Sequence, residues 1–132
     1  MISTEVLNAP LATYPACAAI ERYWRAYNSH QRTLGGDPLL GARLGEYLEG
    51  SGFHDVRLQT VTYHIDARAS DPERKRFFAY WNRLFLSARP AMRRANAVTE
   101  CLATEMDREF AQLAEDPRSI FFLVAMQAHA KR

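Results

Sequence analysis

His64 lies between Tyr63 and Ile65, two residues before Asp66. An imidazole near a carboxylate can take a proton at neutral pH, which makes His64 the one weak candidate for a general base. Tyr23, Tyr27 and Tyr80 each join an apolar ring to a polar tip, and Trp81 adds a flat indole. Arg83, with Arg25 as a second choice, offers a guanidinium for an anionic substrate group. Tyr23, Tyr27, His64, Tyr80, Trp81 and Arg83 are therefore the candidate substrate contacts, chosen by side-chain type and position. Each also has a structural reading. Tyr and Trp on one helix face pack a core, a strand histidine is a polar strand residue, and helix arginines solvate an outer face.

Other chemistries leave no signal. No glycine-rich loop follows a strand to cradle phosphate. His30, His54, His64 and His129 lie far apart in sequence without metal-ligand spacing. Cys17 and Cys101 are two unrelated thiols, which fit a reducing cytoplasm better than a disulfide framework. No Ser, Cys or Thr nucleophile has an evident base.

The balance is that of one ordinary globular domain: 132 residues, 48% hydrophobic and 24% charged. The formal net charge of +2 gives no argument for nucleic acid, although fifteen of the seventeen basic residues are arginine. No basic region followed by an apolar run marks a signal peptide. The longest apolar stretch, Ile120 to Met126, is far below the roughly 18 residues that span a membrane. A cytoplasmic protein is the expectation.

The elements that must position the candidates follow from periodicity. Ile20, Tyr23, Trp24, Tyr27 and Gln31 predict an amphipathic helix over residues 16–33. Residues 55–66 read as a strand. Val56 and Leu58 share one face and Val61, Tyr63 and Ile65 the other. That change of parity calls for a bulge near Gln59–Thr60, or for a strand that changes its burial partner. Ser70-Asp71-Pro72-Glu73 starts a helix with a cap, a proline and an acidic first turn. It carries Phe77, Phe78, Trp81, Leu84 and Phe85, with Arg74, Lys75 and Arg83 on its outer face, and ends or kinks at Pro90. A further helix is expected over 91–114, striped by Met92, Val98, Leu102, Met106, Phe110 and Leu113. Glu100, Glu105, Asp107 and Glu109 are placed on its solvated face. The run 119–128 is apolar throughout, the pattern of a strand covered on both faces.

Gly35 to Phe53, GGDPLLGARLGEYLEGSGF, ties these parts together. Asp37 can cap a helix, Pro38 fits its first position, and Leu40, Leu44, Tyr47 and Leu48 share a face. Gly50 and Gly52 end it. GGDP, GxxLG and SGFHDV in this order resemble the carboxy-terminal portion of class I S-adenosylmethionine-dependent methyltransferases, from about Ala9 to the end. The resemblance implies an α/β (α+β) fold. This is a truncated, helix-rich, Rossmann-like half in one domain, with an antiparallel strand pair at about 55–66 and 119–128. A helical insertion lies between those strands and often covers substrate in that family.

The family's donor site, a glycine-rich turn after its first strand and an acidic residue after its second, is absent. The chain alone is therefore expected to bind no cofactor, S-adenosylmethionine entering only if a partner supplies the site. Three readings follow: the substrate-side half of a split or truncated methyltransferase acting on a small molecule; a cofactor-free binding protein or cyclase- or isomerase-type enzyme; or an assembly module. In the family the last strand is sandwiched between two others. One neighbour is 55–66, and the other is expected outside this chain. The open edge of 119–128 is then expected to be filled by a second copy in a homodimer or by a donor-binding subunit, with Ile2–Leu7 as the alternative in cis.

Overall fold

Ser70 opens a long helix because its backbone N–H (2.9 Å) and hydroxyl (2.6 Å) both donate to Glu73, three residues on. Local rules of this kind recur along the computed structural model, which describes residues 2–132, with side chains from residue 11 onward. The elements run β1 (Ile2–Tyr14), α1 (Ala18–Thr33), α2 (Leu40–Gly50), β2 (His54–Ile65), α3 (Asp71–Ser87), α4 (Arg89–Arg94), α5 (Glu100–Glu115) and β3 (Ile120–Lys131). The chain is thus mixed α/β with one three-stranded antiparallel sheet.

The sheet order is β1-β3-β2, and β3 is antiparallel to both neighbours. Tyr14 pairs with Ile120 and Ile65 with Phe121, so the apolar strand has a partner on each side. The expectation of an open edge on 119–128 is corrected here. The amino-terminal strand takes that edge in cis, over Ile2–Val6 and Leu11–Tyr14 with an irregularity between. The sheet's outer edges are instead β1 and β2.

Period-2 alternation divides β3 between two cores. Phe121 and Leu123 enter the larger one, with Ile20 and Tyr23 of α1, Phe78, Trp81 and Phe85 of α3, and Met106, Phe110 and Leu113 of α5. Ala128 and Ala130 face the other way, onto Leu44 and Leu48 of α2. The parity change in β2 has the same cause. Val56 packs with the α2 cluster, whereas Tyr63 and Ile65 pack with the larger core. The strand changes its burial partner. Its register shift falls between His54 and Arg57, not near Gln59–Thr60. Asp55 there has φ 52°. Gly45 keeps α2 close to the sheet, because a Cβ on it would lie 3.1 Å from the Leu58 side chain.

The expected 91–114 helix is broken in two. Asn96 adopts φ 53°, a left-handed stop that asparagine tolerates. Thr99 then caps α5, its hydroxyl accepting from the Leu102 N–H at 3.1 Å. Pro90 opens α4 instead of ending α3.

Candidate functional site

Between α1, the turn before α2 and the last turns of α3 lies a cavity of about 300 Å³. Its position follows from the two aromatic helix faces. α1 turns Tyr23, Trp24, Tyr27 and Gln31 towards α3, which answers with Trp81, Leu84, Phe85, Ser87 and Ala88. Asp37 and Leu40 close the third side. Trp24 stacks on Tyr27 (centroids 5.5 Å, 9°) and on Phe85 (4.9 Å, 10°), making a column of parallel rings. Tyr23 is fully buried beside Phe85, and its hydroxyl donates to the Phe85 carbonyl at 3.1 Å. Burial of that phenol raises its pKa above the ordinary value, despite Arg89 nearby. Tyr23 therefore holds α1 to α3 as a neutral donor.

The expected cap by Asp37, with Pro38 at the first helical position, is corrected here: the N-cap is Leu39 and helical geometry begins at Leu40. Asp37 instead closes the turn before the helix, one carboxylate oxygen accepting the Leu39 N–H at 2.8 Å. Its other oxygen is 3.6 Å from Arg43, whose guanidinium is bound at 3.0 and 3.1 Å to Glu46. α2 ends at Gly50, and Gly52 just beyond it takes φ 83° as the Phe53 N–H returns to the Leu48 carbonyl.

The structure brings only part of the candidate set together. Tyr23, Tyr27 and Trp81 line the cavity. Tyr80 touches Trp81 edge-on at 5.6 Å but faces solvent. Arg83 and Arg25 are exposed and outside the lining, so neither supplies a cation to it. His64 belongs to a separate corner. It lies on the sheet face opposite Tyr63, edge-on to Phe122, 3.6 Å from Asp66. Asp66 is engaged by Arg68: the side chain bonds it at 2.6–3.1 Å and the backbone N–H at 3.0 Å. Those bonds hold the Asp66 carboxyl down at about 2. Asp66 thus organises the turn after β2, and no cavity lies beside His64 among the pockets described.

Two residues read as solvated are structural anchors. The Glu109 carboxylate accepts the Ala19 N–H at 3.1 Å and the Ile20 N–H at 2.8 Å, occupying the free amides at the start of α1. Ninety residues separate Glu109 from Ala19, so no local pattern announces it. Arg74 is buried, with Nε donating to the Ala114 carbonyl at 3.1 Å and its terminal nitrogen paired with Asp71. The Asp71–Arg74 spacing of three was the available signal. Cys17, beside the start of α1, is buried, and burial raises its thiol pKa.

Among the described residues no group of His, Cys, Asp and Glu could hold a metal ion. The glycine-rich turn that the resemblance implies for a methyl donor has no counterpart at the β1–α1 connection. The β1–α1 turn is Tyr14-Pro15-Ala16-Cys17, without glycine, and the amides that a bound anion would use are taken by Glu109. No described helix is long and apolar enough to cross a membrane. No protein-family model matches the chain, and no curated protein matches it.

Proposed function

We propose that this chain is the substrate-side half of an S-adenosylmethionine-dependent methyltransferase acting on a small molecule, with the α1–α3 cavity as its acceptor site. The observation that carries the reading is the sheet. β3 runs antiparallel between two strands that are parallel to each other, as the last strand of the resembling family does. The α3–α5 helices stand between β2 and β3 in the chain, where that family inserts its substrate cover. The α3 face of that segment walls the cavity on one side. In this reading the chain's residues bind and orient the acceptor and exclude water. The donor is held by other residues, and the thirteen-residue outer edge of β1 is the surface available to pair with them. A second copy on the same edge would give a homodimer.

The test is to express the chain together with the coding sequence that flanks it and to titrate the product with S-adenosylmethionine by calorimetry. Micromolar binding by the joint product, with none by the isolated chain, supports the reading. Micromolar binding by the isolated chain, or none by either, overturns it. A second reading, a cofactor-free small-molecule binding protein, is favoured by one observation: the cavity is built against a stack of three parallel aromatic rings. That reading expects ligand binding by the chain alone and no methyl transfer in the joint product.

A further inference from the structure

The charges around the cavity point to its ligand class. Among its lining residues there is no lysine, arginine or histidine, and Asp37 is the one carboxylic acid. Arg83 and Arg25, the cations available for an anionic substrate, lie outside, and so does Arg89, which acts on Tyr23 from beyond the lining and is paired with Glu100. The nearest guanidinium recorded against Asp37, that of Arg43, is 3.6 Å from one oxygen. It is spent on two shorter bonds to Glu46 and sits over the Tyr47 ring at 5.1 Å. One Asp37 oxygen is therefore left with a long, shared contact. The walls beside it carry five aromatic rings, three of them in the Tyr27–Trp24–Phe85 stack. Aromatic faces attract cations, and an anion here would meet ring quadrupoles and a carboxylate of its own sign.

We infer that the cavity takes a planar aromatic amine, its ring against the aromatic walls and its ammonium towards Asp37. The inference names the substrate class for the cavity assigned above, and rests on that assignment only for what becomes of the ligand. About 300 Å³ lies at the small end of ligand pockets, which limits the ligand to one or two rings. Specificity then has two parts. The aromatic walls select a flat ring with little regard to its substituents. The carboxylate selects the sign of the side-arm charge.

Three probes sharing one ring separate these parts: tryptamine, tryptophol and indole-3-propionate, titrated calorimetrically into the full chain. Tryptamine is expected to bind at least about tenfold tighter than tryptophol, and indole-3-propionate weakest. Asp37→Asn keeps an acceptor for the Leu39 N–H and should reduce the amine preference to under about threefold. Leu84→Lys, at a lining position that is 46% exposed, tests the same point without touching the α2 turn. It should weaken tryptamine and improve indole-3-propionate. Equal affinities for the three probes, a preference for the acid, binding by none of them, or an amine preference unchanged in Asp37→Asn would each overturn the inference. Failure here is distinct from failure of the methyltransferase reading. Tryptamine binding without donor binding in the joint product removes the reading and leaves the inference. Methyl transfer to an acid acceptor does the reverse.

Discussion

The α1–α3 cavity and the corner at the end of β2 divide between them what a ligand site needs. The corner has the titratable groups: His64 and Arg68 both lie within reach of Asp66. None of the described cavities opens on it, and its carboxylate is consumed by the turn it closes. The cavity has one carboxylate, no base and an enclosure of stacked rings. A strongly shifted carboxyl on an open surface reflects local bonding to a neighbouring arginine. A concave aromatic wall with one charge can select a molecule. The residues that look catalytic hold a turn, and those that look like core line the cavity.

The largest effect that would break this comparison is expected at Phe85. Its ring stacks on Trp24 and meets Phe110 edge-on at 5.2 Å, so it belongs to the cavity wall and the main core together. Phe85→Ala should cost about 3–5 kcal/mol in urea unfolding and abolish probe binding. A loss under about 1 kcal/mol would mean that the wall is not packed as described.

Glu109 is next. Glu109→Ala leaves two amides at the start of α1 without their acceptor, a loss of about 1–3 kcal/mol. The same substitution at Glu115, whose contact is a surface pair with Lys75, should change stability by less than about 0.5 kcal/mol. Equal effects at the two sites would remove Glu109 as an anchor.

The smallest effects belong to the β2 corner. His64→Ala should leave both probe affinity and stability within about 0.5 kcal/mol of the parent, as a surface strand substitution does. Loss of binding in a folded His64→Ala protein would restore it as a site residue. Asp66 is held at about 2 against an ordinary 3.8. Its contribution is therefore complete above pH 3.8 and is lost as the pH falls towards 2. A carboxyl-carbon NMR titration should give a midpoint near 2, and a midpoint near 3.8 would mean that the Arg68 pair does not form.

Much of the architecture was legible because it is written locally. The α1 stripe, the Ser70–Glu73 box and the Gly52 stop each lie within a few residues, and all three are present. The α4–α5 break was missed because the apolar stripe continues through it, from Met92 to Val98 to Leu102, while the backbone turns at Asn96. The pairing of β1 with β3 joins residues more than a hundred apart, and turn chemistry does not record such contacts. Tyr23, Tyr27 and Trp81 meet at the cavity because helical spacing brings them to facing stripes. Arg83 and His64 lie outside it, since side-chain type alone cannot tell which face of an element a charge will occupy. Asp37 reads as a helix cap but closes the turn just before the helix, and its place in the cavity lining depends on α1 and α3 closing over it.

The central claim is that ligand enters the cavity and not the corner. The direct measurement is an amide chemical-shift map of the isotopically labelled chain titrated with tryptamine. Perturbations confined to residues 23–31, 37–40 and 81–88 are the predicted result. Perturbations clustered at residues 62–68 and 120–124, with the cavity amides unmoved, would contradict it.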